Sequence, residues 1–247
     1  MESAKINTLF SIISKPRAET YLNYFRDEMD ITSKSIQAYE LYIWNIKISA
    51  AFLEVISLYE IALRNAIIKA LEPSYRVYSI LNDNFIRALK PTTREELVSV
   101  VNKLSRDKKY EIIFQNNRLQ PLRIDTNAVP PGKVIAELNL IFWENMLSNT
   151  HRIRWINYYD RAFPCLKVSC LSELNPFIDN IRSTTNRTRD LRNRICHHEP
   201  IFNENKTDLS KIFSEVKTVL GYISTDTIHI LNEFERISQL LTLKPKR

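Results

Sequence analysis

Apolar residues recur at spacings of three and four along most of this chain, which is the period of an amphipathic α-helix. The longest such stretch begins near Ser33, a plausible N-cap, and reaches Leu71. It predicts either one core helix or two helices separated near Ser49. Pro73 should end it, because a proline inside a helix removes a backbone hydrogen bond. A long buried helix is therefore expected in the first third of the chain.

Shorter periodic stretches predict the remaining helices. Turn and cap residues bound them: a Thr-Thr-Arg-Glu capping box opens at Thr92, Gly132 begins another helix, and Gly221 is expected to end a third. The predicted helices cover residues 16–29, 85–89, 92–105, 132–147, 151–159, 172–197, 207–220 and 225–241. No segment shows a convincing strand period. The sequence predicts an all-α bundle with the helices 50–71 and 172–197 at its centre.

The same pattern suggests a single domain over residues 1–247. N-terminal helices occupy 1–72, a variable middle part occupies 73–131, and the part that carries the candidate site occupies 132–247. The middle part contains two segments without helical period. Residues 106–109 are expected to form a basic turn, and 116–131 could be a linker, a lid or a substrate-contacting excursion.

Composition narrows the possible functions. The chain has 247 residues, 44% of them hydrophobic, which is enough to bury one large core or two small ones. Only two glycines occur, which argues against Gly-rich phosphate loops and Rossmann turns. The formal charge of +7 and the pI of about 9.2 suit a polyanionic partner. Three cysteines without a Cys-x-x-Cys pair favour a reducing compartment, and no apolar run approaches the length of a membrane span, so we expect a soluble cytoplasmic protein.

The densest combination of chemically useful side chains lies in residues 182–202. Its first thirteen residues contain five arginines and one acid, and Arg192 and Asn193 are followed by His197 and His198. Arginine keeps its charge and its planar fork suits phosphate oxygens, whereas histidine can transfer a proton near neutral pH. Together they suit cleavage of a phosphodiester by acid–base and electrostatic catalysis. The alternative is that Arg192 pairs with a buried acid and the histidines cap the helix C-terminus.

Helix geometry limits how these residues can cooperate. Residues five apart, such as Arg192 and His197, lie about 140° apart around a regular helix. A proline after the second histidine should end the helix there, so the long arginine side chain could still reach a groove bordered by His197. The adjacent histidines lack a third ligand at a suitable spacing, so no metal site is expected. Of the other histidines, His151 is expected at the surface and His229 in a structural position.

Three further groups have both a functional and an ordinary interpretation. Glu60 and Arg64 are four residues apart and share a helix face, where they would ordinarily form an ion pair. Lys133 could contact a phosphate or could simply be solvated. Arg152 and Arg154, interleaved with aromatic residues, could follow a single nucleic-acid strand by charge and stacking, or could belong to a helix with one wet and one dry face.

Three stretches resemble the Abi-like (abortive infection) proteins of bacteria, which belong to the HEPN superfamily. The first is Arg-Asn-Arg-Ile-Cys-His-His-Glu-Pro-Ile at residues 192–201, and HEPN RNases carry such an arginine, four to six residues and a histidine. The second is Glu-Ile-Ala-Leu-Arg-Asn at 60–65. The third is Pro-Gly-Lys-Val-Ile-Ala-Glu at 131–137, which runs on to Phe142-Trp143. The three stretches lie in the order expected for the family.

The resemblance implies a HEPN-like helical bundle with additional helices. It also implies a metal-independent endoribonuclease without a cofactor, acting in phage defence by abortive infection or as a toxin–antitoxin partner. RNA would be the substrate, a regulatory or antitoxin RNA a further partner, and a homodimer would bring two arginine–histidine motifs together. The implied residues are Arg192, His197 and Asn193 as catalytic groups, and His198, Glu60, Arg64 and Asn65 as supporting groups. From their charge and position, the predicted RNA contacts are Arg187, Arg189, Arg194, Lys133, Arg152 and Arg154. The alternatives are a non-catalytic RNA-binding protein and a structural helical protein whose motif only stabilises a dimer.

Overall fold

The structure, a computed structural model, describes residues 2–76, 79–105, 110–115 and 118–246. Within these residues the predicted all-α class is confirmed. The helices are α1 (Glu2–Ile12), α2 (Lys15–Leu22), α3 (Ile31–Tyr75), α4 (Asp83–Ala88), α5 (Pro91–Leu104), α6 (Pro131–Glu137), α7 (Leu140–Met146), α8 (Arg152–Ala162), α9 (Leu171–Cys196), α10 (Leu209–Ile223), α11 (Thr225–Phe234) and α12 (Ile237–Thr242). Short 3-10 turns cover Asn23–Phe25, Ser79–Leu81 and Asn149–His151. The predicted basic turn at 106–109 lies outside the described residues.

One small element was not predicted. The two-residue strands β1 (Phe114–Gln115) and β2 (Arg118–Leu119) pair antiparallel, with Phe114 opposite Leu119. Strands this short carry too few residues to show an alternating pattern, so the sequence gives no periodic signal for them.

The long apolar stretch forms one continuous helix, α3, and not two. Asp30 caps it, and not Ser33: the Asp30 carboxylate accepts hydrogen bonds from the backbone N–H groups of Thr32 (3.3 Å) and Ser33 (2.7 Å). The predicted end at Pro73 is also wrong, since α3 continues to Tyr75. Pro73 lies in the exposed last turn, where the helix loses only the one hydrogen bond that its missing N–H would have made.

Two helices predicted as continuous are broken in the structure. The stretch 132–147 is divided into α6 and α7 by extended backbone at Leu138 and Asn139, and Ile141 is 43% exposed. The stretch 225–241 is likewise divided into α11 and α12. Neither break contains glycine or proline, so the apolar spacing alone did not reveal it. Gly221 does not end α10, which continues to Ile223.

The chain forms two compact units, and α3 and α9 contribute residues to both. Unit 1 combines the described residues of Met1–Ile56, Leu191–Phe213 and Leu231–Arg247. Its core is aromatic: the rings of Tyr21 and Tyr24 lie 5.1 and 5.0 Å from that of Phe202. Trp44 donates from Nε1 to the backbone oxygen of Leu240 at 2.6 Å, which attaches the C-terminal helix α12 to α3.

Unit 2 combines the described residues of Ser57–Asp190 and Ser214–Ile230. In this unit α3 and α9 are joined by a buried hydrogen bond of 2.7 Å between the Tyr59 hydroxyl and Thr185 Oγ1. Nearby, the rings of Trp155 and Phe163 pack 5.9 Å apart. The single-domain organisation stays a prediction. None of the helices in the described ranges is long and apolar enough to cross a membrane.

Candidate active site

The C-terminus of α9 carries the candidate catalytic residues in unit 1. The backbone N–H of His197 still bonds to the Asn193 oxygen at 2.9 Å, so helical hydrogen bonding reaches His197. The next two backbone N–H groups do not continue the helical pattern. That of His198 donates to the Ile195 backbone oxygen and that of Glu199 to the Arg194 backbone oxygen, each at 2.9 Å. His198 itself has a φ of 56°, in the left-handed region. This pair of bonds with a left-handed residue is a Schellman motif, and it fixes the position of His197 at the helix end.

Arg194 fastens the segment that follows α9. Its Nε donates to Glu199 Oε2 at 3.1 Å, its Nη2 to the Pro200 backbone oxygen at 2.5 Å, and its Nη1 to Thr207 Oγ1. The planar guanidinium can make these three bonds at once, whereas a lysine ammonium could not reproduce their directions. In the structure these three donors bond to protein acceptors, and the contact of Arg194 with RNA stays a prediction.

Two residues distant in sequence hold the same segment. Asn45 on α3 is buried, and its Oδ1 accepts from the backbone N–H of Ile201 at 2.8 Å. Lys244, near the chain end, donates to the Phe202 backbone oxygen at 2.8 Å and to Glu204 Oε1 at 2.6 Å. Sequence reasoning missed both residues. Asn45 could have been identified as a single asparagine within an apolar helical run. Such an amide is expected to be buried, and a buried amide almost always has a hydrogen-bond partner.

Three of the candidate side chains of the motif face solvent. Asn193, His197 and His198 are exposed and Arg192 is half-buried, with its Nη1 3.5 Å from Asn193 Oδ1. Asn193 and His197 are four residues apart and share a helix face. Because the helix stays regular up to His197, the Arg192 side chain leaves α9 about 140° away from that of His197. Its guanidinium nevertheless lies beside the Asn193 amide, which shares a face with the His197 imidazole.

The arginines before the motif belong to unit 2 and are paired with acids from other helices. Arg187 donates from Nε to Glu215 Oε2 at 2.8 Å. Arg189 donates from Nη1 to Glu144 Oε2 and from Nη2 to Asp190 Oδ1, the latter at 3.1 Å. Glu144 is 6% exposed. The positive charge expected from the sequence is thus offset in part by Glu144 and Glu215, which lie far away along the chain.

The supporting residues on α3 also lie in unit 2. Glu60 and Arg64 are both half-buried and Asn65 is exposed. Although Glu60 and Arg64 share a helix face, the ordinary ion pair between them is not observed. Arg64 Nε is buried and has no hydrogen-bond partner among the described residues. The Tyr59–Thr185 bond is instead what links α3 to α9 in this unit, and burial raises the pKa of the Tyr59 hydroxyl.

Lys133 and the arginines of α8 differ in their surroundings. Lys133 is exposed near the start of α6. Arg152 donates to Asp179 Oδ2 at 3.3 Å. Arg154 donates to the Tyr75 hydroxyl at 2.9 Å and lies over the Tyr75 ring, 5.2 Å from its centroid. Both arginines of α8 therefore contact protein groups, and their part in RNA binding stays a prediction.

His151 is buried, at 4% exposure, so its predicted surface position is wrong. Its Nδ1 lies 3.0 Å from Arg154 Nη1. Burial, followed by the nearby charges of Arg154 and Lys90, lowers its pKa to about 4. His229, expected in a structural position, is exposed on α11.

Metal chemistry has no candidate site in the described part of the chain, where no three His, Cys, Asp or Glu side chains cluster to hold an ion. What the end of α9 offers is proton transfer by imidazole, hydrogen bonding by an amide and charge stabilisation by a guanidinium.

Comparison with known proteins identifies a family. Neither the comparison with curated proteins nor the comparison with solved structures gives a significant match. A family model described as Abi-like protein matches residues 9–203, which include α3, most of unit 2 and the whole motif at the end of α9. This family is associated with abortive infection. The match covers well over half of the sequence, so the chain belongs to the Abi-like protein family.

Proposed function

We propose that this Abi-like protein is a metal-independent endoribonuclease of the HEPN type that acts in abortive infection. The observation that supports this most is that different residues at the end of α9 bond to protein and face solvent. Arg194, Glu199 and the residues around them bond to one another and hold the turn, whereas Asn193 and His197 are exposed on one face. A rigid helix end that presents solvent-accessible imidazole and amide groups suits a reaction more than it suits packing.

The reaction we propose uses the 2′-hydroxyl of RNA as the nucleophile. Its oxygen forms a bond to the adjacent phosphorus and loses its proton to a base, and the bond from phosphorus to the 5′-oxygen breaks. The leaving oxygen takes up a proton, so the products carry a 2′,3′-cyclic phosphate and a 5′-hydroxyl. His197 would transfer a proton, Arg192 would stabilise the charge that builds on the phosphate oxygens, and Asn193 would orient the imidazole or the phosphate. DNA lacks the nucleophile and would not react.

A homodimer would complete this site. His197 would take the proton of the 2′-hydroxyl and return a proton to the leaving oxygen, so each catalytic centre needs one His197 and one Arg192. The Arg192 side chain leaves α9 about 140° away from that of His197. A two-fold contact through the motif would allow the arginine of one protomer to face the histidine of the other, which gives two arginine–histidine pairs in each dimer.

Among the predicted RNA contacts, Lys133 is exposed near the start of α6. Arg187, Arg189 and Arg194 donate to protein acceptors, as do Arg152 and Arg154. We propose that these paired arginines act mainly through the positive potential of the protein, which a formal charge of +7 sustains. Binding and cleavage would then weaken steeply as salt is raised.

The test is incubation of the purified full chain with single-stranded RNA in EDTA. Wild-type protein should cleave, while Arg192→Ala and His197→Ala should abolish cleavage and keep wild-type helical content by circular dichroism. Matched controls are Arg26→Ala and His229→Ala, which alter exposed residues elsewhere and should cleave normally. RNA binding without any cleavage by the wild-type chain would favour the non-catalytic alternative.

A further inference from the structure

A groove in unit 1 runs beside the segment that follows the candidate motif. It consists of two cavities of about 590 and 330 Å³. They share three lining residues, Glu204, Leu241 and Lys244. The smaller cavity is also lined by Thr207, whose hydroxyl accepts from Arg194 in the last turn of α9. The groove therefore begins next to the helix end that carries His197 and continues towards the end of the chain.

The larger cavity has a fixed wall, although part of it comes from the end of the chain. Lys244 is anchored there: its side chain is 13% exposed, and it donates to the Phe202 backbone oxygen and to Glu204 Oε1. Its ammonium also lies 5.5 Å from the centroid of the Tyr24 ring, which lines the same cavity. These contacts hold the backbone two residues before Lys246, so the fold places Lys246 beside the cavity.

Several donors in the larger cavity are not used by the protein. Lys246 is exposed and forms no hydrogen bond or ion pair with another described residue. The side-chain nitrogens of Asn203 and Asn205 likewise donate to no other residue in the described ranges. Asn203 Oδ1, by contrast, accepts from the backbone N–H of Asn205 at 3.1 Å, which fixes the turn that carries both amides. Grouped donors of this kind suit a ligand rich in acceptor oxygens.

The two cavities differ in charge. The lining of the larger one contains Lys244, Lys246 and a single acid, Glu204, which is paired with Lys244. The smaller one contains the further acid Asp208, whose Oδ1 accepts from the backbone N–H of Lys211 at the start of α10. A phosphate is attracted by the first set of charges and repelled by the second. The larger cavity is therefore the end of the groove that suits a phosphate.

We propose that this groove is a subsite for the RNA strand on one side of the bond that is cleaved. Lys246 would bind a backbone phosphate, and the amides of Asn203 and Asn205 would donate to phosphate or ribose oxygens. Such contacts recognise the backbone and not the base. Six residues of chain span at most about 22 Å, so a strand of several nucleotides can reach from His197 to Asn203. The inference rests on the proposed function, since it names a further contact of the same substrate.

The test is fluorescence anisotropy with the full chain and a labelled oligoribonucleotide of about ten nucleotides, fully 2′-O-methylated. This RNA keeps its phosphates but lacks the nucleophile, so binding is measured without cleavage. Lys246→Ala should weaken binding about threefold or more, and should reduce the slope of log affinity against log salt by about 0.7, the contribution of one phosphate contact on a single strand. Lys246→Arg should retain wild-type binding. Lys69→Ala removes an exposed lysine of unit 2 and should change neither quantity.

Two results would overturn the proposal. The first is wild-type affinity and salt slope in Lys246→Ala, or an equal loss in Lys69→Ala. The second is a 5′-mononucleotide that binds as tightly as the oligoribonucleotide and depends on Lys246, because the groove would then be a site for free nucleotides and not for a strand.

A kinetic arm separates this inference from the nuclease proposal. In a chain that cleaves RNA, Lys246→Ala should raise KM about threefold or more and leave kcat near the wild-type value. A fall in kcat at unchanged KM would place Lys246 at the reacting bond and refute the subsite. RNA binding that depends on Lys246 in a chain without cleavage would refute the nuclease and keep the groove as an RNA site. Cleavage that is indifferent to Lys246 would do the opposite.

Discussion

At the residue scale, the adjacent histidines at the end of α9 occupy different backbone positions. His198 is the left-handed residue of the Schellman motif, a conformation that costs a non-glycine residue about 1 kcal/mol. His198→Gly should raise the free energy of unfolding by a few tenths to about 1 kcal/mol in urea titration, after the greater freedom of glycine in the unfolded chain is deducted. RNA cleavage should persist. Loss of cleavage in a folded His198→Gly protein, with His197→Gly still active, would reverse the roles assigned to the two histidines.

Also at the residue scale, buried His151 should make stability depend on pH. Its folded pKa of about 4 lies below the ordinary value of 6.5, so between these values the unfolded chain binds a proton that the folded chain does not. Stability from this residue is fully present above pH 6.5 and falls as pH is lowered towards 4, by up to about 3 kcal/mol in total. His151→Gln should flatten this part of the curve of unfolding free energy against pH. Identical curves for the two proteins would show that His151 does not titrate this way.

At the element scale, Arg194 joins α9 to the segment 199–207. Arg194→Lys keeps the charge but cannot reproduce the three directed bonds, so the free energy of unfolding should fall by about 1–3 kcal/mol. His197 lies between Arg194 and the residues 199–200 that Arg194 holds, so a looser segment should misplace the catalytic imidazole. We therefore expect kcat to fall by a larger factor than KM rises. Lys206→Arg, a change at an exposed residue of the same segment, is the control. Unchanged stability and kcat in Arg194→Lys would mean that the segment is held by Asn45 and Lys244 alone.

The helix α3 was predictable from the sequence because its long apolar period ran without interruption. The breaks before α7 and α12 were not predictable, because neither contains the glycine or proline that commonly marks a helix end. The candidate motif was visible because its residue types are adjacent in sequence. The roles of Arg189 and Arg194 could not be predicted from the sequence, because only folding brings their partners Glu144 and Thr207 close to them.

At the scale of the whole molecule, the dimer proposal predicts complementation between inactive chains. If Arg192 of one protomer serves His197 of the other, a mixed dimer of Arg192→Ala and His197→Ala chains contains one intact pair. Random pairing would then restore about a quarter of wild-type cleavage, since half of the dimers are mixed and each has half of its pairs. Co-expressed chains carrying different tags allow the mixed dimer to be purified and assayed. No activity in that dimer would indicate that arginine and histidine act within one protomer or that no dimer forms.

The central claim is that the groups at the end of α9 cleave RNA without a metal, using the 2′-hydroxyl of the substrate. End-group analysis of fragments produced in EDTA tests it most directly. We expect a 2′,3′-cyclic phosphate and a 5′-hydroxyl on the wild-type products, and no cleavage of an RNA whose only scissile nucleotide carries a 2′-deoxyribose. Fragments with 5′-phosphates, or cleavage that requires magnesium, would contradict the account.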